Sequence, residues 1–137
     1  MPKINWLNTL FSNVSSDPLA LAITKTLGFK PSTIKPYYQA FSHSSMDSDK
    51  YGNNERLEFL GDALLQSAIT EYLFEVLPHK DEGILTDIRS KIVSRQTLNH
   101  LGQTYALERF IQSTLSEPLP PSVVGNAFEA LIAAIHI

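Results

Sequence analysis

Cysteine is absent from the chain, which excludes a disulfide framework and any thiolate metal site and makes a reducing compartment the natural expectation. Long apolar runs are missing too. No segment reaches the roughly 18 uninterrupted apolar residues of a membrane span, and Met1-Pro2-Lys3-Ile4-Asn5-Trp6 lacks the apolar stretch of a signal peptide. A cytoplasmic protein without membrane attachment is expected, and Asn13-Val14-Ser15 then reads as a chance sequon. Histidine is sparse: His43, His79, His100 and His136 are the full set, and none is followed by Asp. That argues against an all-α phosphohydrolase built on His-Asp metal pairs. Positive charge is not in excess, the formal net charge being −3. Indiscriminate binding to a polyanion is therefore disfavoured, and a nucleic-acid partner must be met by local basic groups or bridging metal. Internal repeats and alternating strand patterns are also missing.

What remains is helical. With 137 residues and 43% hydrophobic content, the chain can bury a real core and is expected to form a single domain, 1–137, with 1–17 as an N-terminal extension. Residues 4–11 form a short amphipathic segment. Residues 18–27 read as a helix closed by Gly28, and 37–42 as a helix leading into His43-Ser44-Ser45. The polar run 46–53 reads as a loop. A long helix from about residue 54 stops at Pro78, which cannot continue it. After a turn at 79–83, another helix spans about 86–101 with Ile88, Ile92, Val93 and Leu98 inward, and 102–111 extends or restarts it. The Pro-rich segment 116–121 is a rigid break, and Ser122 is placed to cap a final helix from Val123 onward.

The long helix carries the first chemical signal. At about 100° per residue, Leu57, Leu60, Leu64, Leu65 and Ala68 share one arc, while Glu55, Glu58 and Asp62 fall in a narrow arc beside it. Carboxylates on the rim of a core lose hydration and repel one another, so a cation or strong hydrogen bonds must compensate them. Phe59, at roughly 200° on the same wheel, turns away from the apolar arc and needs a partner. The final helix carries the second signal. It is apolar on nearly every side except at Asn126, Glu129 and His136, which suggests burial all round. Asn126 and Glu129, at i and i+3, can point at one place, as Glu58 and Asp62 do at i and i+4. Two facing helices could thus assemble a four-oxygen cage suited to Mg²⁺, which activates water and neutralises phosphate charge.

At this point the residues match a family. Asn54-Glu55-Arg56-Leu57-Glu58-Phe59-Leu60-Gly61-Asp62 resembles the signature of ribonuclease III, a Mg²⁺-dependent endonuclease that cuts double-stranded RNA. Phe41-Ser42-His43-Ser44-Ser45, Asp81-Glu82-Gly83, Arg89-Ser90-Lys91-Ile92-Val93-Ser94 and Asn126-Ala127-Phe128-Glu129-Ala130-Leu131-Ile132 resemble the remaining blocks in order, from about residue 19 to the end. The resemblance implies an all-α endonuclease-domain-like bundle working as a homodimer. Glu58, Asp62 and Glu129 would be the catalytic metal ligands, and Asn126 would occupy the fourth ligand position. Glu55 and Glu82 would be accessory acids of the same valley, and Phe59 would plug the partner subunit. It further implies Mg²⁺, replaceable by Mn²⁺, no organic cofactor, and cleavage of double-stranded RNA to 5′-phosphate and 3′-hydroxyl ends in rRNA and mRNA processing.

Two features depart from the pattern. The family most often has Asp where this chain has Asn126, which removes one negative charge; an Asn carbonyl can still ligate Mg²⁺ or orient its water, so weakened metal affinity is expected. The chain also ends within the expected last helix, so the rest of the domain and the double-stranded-RNA-binding domain are expected beyond it. Plainer readings stand beside these. Glu55 could serve the helix macrodipole, Asn126 an interhelical hydrogen bond and Glu82 a turn. His43 reads as a capping or packing residue, and Lys91 and Arg95 as solvated helix charges. A catalytically silent relative that binds RNA or serves a ribosome is the rival class; it would normally have lost several acids that this chain keeps.

Overall fold

The computed structural model describes residues 16–46 and 51–137, so the expected segment 4–11 lies outside the described residues, as do residues 47–50 of the expected loop. The chain divides into two compact units, 1–35 and 36–137. In the first, α1 (Pro18–Leu27) begins because Asp17 Oδ1 accepts from the backbone N–H groups of Leu19 and Ala20 at 2.9 and 3.1 Å. It ends at Gly28, whose φ of 80° is the left-handed closure expected from sequence.

Helix α2 (Lys35–Ala40) belongs to the second unit from its second residue onward, and that unit also holds α3 (Glu55–Val76), α4 (Glu82–Ile92), α5 (Arg95–Thr104), a 3₁₀ turn (Leu107–Phe110) and α6 (Pro121–His136). Among the described residues no strand forms; one isolated bridge pairs Ser42 with Gln112. The all-α expectation holds. Helix α6 is the centre of the unit and packs along both α3 and α5. It buries Val123, Val124, Ala127, Ala130, Leu131, Ala133 and Ala134, and the surrounding elements add Tyr37, Ala40, Phe41, Leu57, Leu73, Leu98 and Leu107 to the core.

Several boundaries differ from expectation. The helix expected over 86–101 is two helices. Ser94 leaves helical geometry (φ −64°, ψ 149°) and its hydroxyl accepts from Thr97 N–H at 3.2 Å, so it caps a new helix. Helix α4 starts earlier, at Glu82, because Asp81 accepts from Ile84 N–H at 2.9 Å. Of the expected inward residues only Leu98 is buried, and α4 buries none of its residues. Helix α2 begins and ends two residues before the expected 37–42. Helix α6 starts at Pro121 without a side-chain cap, since proline at the first position has no N–H to satisfy; Ser122 is not its cap.

The two acid-bearing helices, α3 and α6, approach at Gly61. A Cβ built on Gly61 would lie 1.7 Å from the Glu129 carbonyl oxygen, so only glycine permits this crossing. Gly125 makes the corresponding approach to α5, where a Cβ would lie 2.1 Å from the Asn99 side chain. With its amide nitrogen facing the carbonyls, Asn99 donates to Arg95 O at 3.2 Å and to Pro121 O at 3.0 Å, tying the first turns of α5 and α6 together. Because no side chain can yield when the obstruction is backbone, Gly61→Ala should lower stability by about 3 kcal/mol or more. Urea unfolding followed by circular dichroism measures this; wild-type stability in the variant would contradict the crossing.

Candidate functional site

On α3, Glu55, Glu58 and Asp62 recur at helical spacing beside the buried Leu57 and Gly61. The start of that helix is fixed from two directions: Asn53 Oδ1 accepts from Glu55 N–H at 3.1 Å, and Ser42 O accepts from Asn54 N–H at 2.9 Å. The segment around Ser42 is itself held, since His43 N–H donates to Gln112 O at 3.0 Å and Gln112 N–H to Phe41 O at 2.8 Å. His43 Nδ1 accepts from Ser45 N–H at 3.0 Å and lies 2.9 Å from Ser45 Oγ. It therefore closes a tight turn, the packing role its position suggests.

The Gly61 crossing brings Asn126 and Glu129 of α6 to the acidic stripe. Glu55, Glu58, Phe59, Asp62, Asn126 and Glu129 line one open pocket of about 530 Å³, together with Arg95. Glu82 is apart from them. It lines an apolar cavity of about 560 Å³ between α3 and α4, with Leu73, Phe74, Leu85 and Arg89. The structure brings together six of the seven residues singled out from sequence.

Burial sets the electrostatics. Glu129 is 5% exposed, and loss of hydration pushes its carboxyl up to about 7, against an opposing pull from Arg95 and a further push from Asp62 and Glu58. Glu58 is raised in the same way, chiefly by burial, with Arg95 pulling it down and Glu55 and Asp62 pushing it up. The oxygens are held by local partners. Gln66 Nε2 donates to both oxygens of Asp62 at 3.0 Å. Arg95 Nη1 donates to Asn126 Oδ1 and lies 3.8 Å from Glu129 Oε2.

Arg95 and Gln66 are the participants that sequence reasoning missed. Lys91 behaves as a solvated charge, paired with Asp87 at 2.7 Å on an exposed face, but Arg95 turns into the pocket. A signal existed. Arg95 follows the Ser94 cap, and a cation at a helix N-terminus opposes the macrodipole unless acids face it. Gln66 stands four residues after Asp62, within reach on the same face.

The donor set is oxygen alone, carboxylates and one amide carbonyl, as a hard divalent cation requires. Glu129, buried with other acids beside it, is the charge such a cation would stabilise. Among the described residues, no three His, Asp or Glu side chains converge closely enough to form a ready-made metal site. The chemistry of the donors fits such an ion.

A pocket of this composition on an all-helical bundle defines a class. The family model described as Ribonuclease-III-like matches residues 35–137. The nuclease domain of ribonuclease III from Campylobacter jejuni superposes with a TM-score of 0.77 at 32% identity, over 84% of this chain and 82% of that one. Ribonuclease 3 of Zunongwangia profunda is 47% identical over 118 residues, covering 82% of this chain and 49% of the relative. Ribonuclease 3 of Flavobacterium psychrophilum is 44% identical over 134 residues, covering 93% and 54%. The chain belongs to the ribonuclease III family. It spans about half the length of the curated relatives it matches.

The raised Glu129 carboxyl has a signed consequence. Between its ordinary value of 4.5 and about 7, the folded protein keeps a proton that the unfolded chain releases. Stability of the metal-free protein should therefore fall as pH rises through that window and level off above it. Denaturant titrations from pH 5 to pH 8 should show wild type losing about 1–3 kcal/mol more than Glu129→Gln. Parallel curves for the two proteins would contradict the assignment.

Proposed function

We propose that the chain carries the endonuclease of a Mg²⁺-dependent ribonuclease III acting on double-stranded RNA. The observation that carries this reading is the convergence of Glu58 and Asp62 from α3 with Asn126 and the buried Glu129 from α6 on one open pocket. Family membership supports the same class of reaction. The catalytic work falls to the second unit, within the single endonuclease-like domain expected from sequence.

Glu58, Asp62, Glu129 and the Asn126 carbonyl would hold Mg²⁺, or Mn²⁺ in its place. When bound, the ion supplies charge neutralisation on phosphate oxygens and activation of water for an in-line displacement. The chain's own residues prepare that site: burial keeps Glu129 poorly hydrated, Gln66 fixes the plane of the Asp62 carboxylate, and Glu55 adds negative charge at the mouth. Cleavage would leave 5′-phosphate and 3′-hydroxyl ends. The reading extends to rRNA and mRNA precursors as substrates and to a cytoplasmic location; among the described residues no helix is long and apolar enough to cross a membrane.

A homodimer belongs to the same proposal. Phe59 is 82% exposed on the wall of the pocket, and Tyr72, Phe74 and Val76 further along α3 are exposed as well. Exposed aromatics in such density mark a surface that another molecule covers. The Campylobacter jejuni relative is described as having a region involved in dimer formation. Two subunits related by a two-fold axis would place two acidic pockets along one valley, each cutting one strand of an A-form duplex. An accessory role for Glu82 then calls on the second subunit, because within one protomer it lines a different cavity.

With labelled long double-stranded RNA, cleavage should require Mg²⁺ and be abolished by EDTA. Glu129→Gln should abolish cleavage while leaving the circular dichroism spectrum unchanged. Retained cutting by that variant at saturating Mg²⁺ would contradict the role of Glu129. Phe59→Ala should weaken dimerisation by at least about tenfold in sedimentation equilibrium, since a buried aromatic anchor contributes about 2 kcal/mol or more; an unchanged dissociation constant would remove Phe59 from the interface.

A further inference from the structure

Arg95 stands where a lone surface arginine gains little. It is the first residue of α5, where the helix dipole disfavours a cation, and its side chain is still 56% exposed. Free in solvent, it could turn outward at small cost. Instead Nη1 donates to Asn126 Oδ1 and sits 3.8 Å from Glu129 Oε2. The guanidinium is thus bound to one oxygen of the expected ligand set and faces a second. Its attraction also opposes the burial of both Glu58 and Glu129. The backbone holds it there: the Ser94 cap starts α5 at Arg95, and Asn99 ties Arg95 O and Pro121 O to one side chain.

We propose that Arg95 is a positioning residue that serves as the internal counter-cation of the metal-free pocket, holding Asn126 and compensating Glu129, and that a divalent cation must displace it to bind. The inference rests on the reading of this pocket as a Mg²⁺ site. Asn126 fits the exchange. A neutral amide carbonyl can accept from a guanidinium or ligate an ion, and it can be passed from one to the other without a proton moving. Arg95 therefore stabilises the metal-free arrangement and raises the cation concentration needed to displace it.

Calorimetric titration of Mn²⁺ into the RNA-free protein, for wild type, Arg95→Ala and Arg95→Lys, tests this directly. A positive charge a few ångströms from an ionised group shifts its equilibrium by a factor of about ten or more. Arg95→Ala should therefore bind Mn²⁺ about tenfold more tightly than wild type, and Arg95→Lys should fall between. Thermal melts in EDTA should show Arg95→Ala less stable than wild type, with the order reversed at saturating Mn²⁺, a reversal that loss of a merely structural contact would not produce. Equal or weaker Mn²⁺ binding by Arg95→Ala overturns the inference and leaves the metal reading standing. Binding by none of the three proteins overturns the metal reading and the inference with it.

Discussion

Gly61 and the backbone of Glu129 meet with no room for a methyl group between them, and the site depends on that contact. Helix α3 alone would present Glu55, Glu58 and Asp62 as an acidic edge. Helix α6 alone would be an apolar rod with an isolated carboxylate. Only when their backbones touch do the oxygens of both helices line one pocket. Burial of Leu57 on α3 and of the alanine-rich sequence of α6, two helices that pack along each other, supplies hydrophobic free energy that holds them together. The small residues of α6, Ala127, Ala130, Ala133 and Ala134, allow the close approach to run along the helix.

The same contact creates an electrostatic cost. Glu129 is buried beside other acids, and its carboxyl rises to about 7 in response. Such a group is stabilised by a proton, by a nearby cation or, on the proposed reading, by a bound metal ion. In the metal-free protein Arg95 meets part of the need, while Gln66 fixes Asp62 from the other side. Local partners restrain part of this cluster of mutually repelling acids: Gln66 holds Asp62, and Arg95 holds Asn126 and faces Glu129. On the proposed reading, affinity for a cation and stability without one are opposed, and Asn126 in place of a further carboxylate would shift that balance toward the metal-free fold.

Much of this was legible in the chain itself. The spacing of Glu58 and Asp62 beside Leu57 and Leu60, and of Asn126 and Glu129 in an otherwise apolar helix, placed the oxygens on facing surfaces before any fold was known. The position of Phe59 off the apolar arc foretold its exposure. What was not legible depended on backbone geometry set by single hydrogen bonds. The break at Ser94 divides a helical pattern whose periodicity alone continues through it, and so the direction of Arg95 could not be read from the helix wheel. The expected inward face of α4 failed as well: Ile88 and Ile92 keep helical spacing, but α4 buries none of its residues. Glu82 belongs to a separate block of the family pattern and lines a cavity with Leu73 and Phe74 of the α3 C-terminal half, apart from the acidic pocket, because membership of a family pattern does not fix proximity within one chain.

The central claim is that one divalent cation site is built across the α3–α6 crossing. Anomalous diffraction from crystals soaked in Mn²⁺ tests it most directly. The account predicts a peak bounded by Glu58, Asp62, Asn126 and Glu129, with the Arg95 guanidinium withdrawn from Asn126. A well-ordered pocket with no peak there, or a peak confined to residues outside it, would contradict the claim.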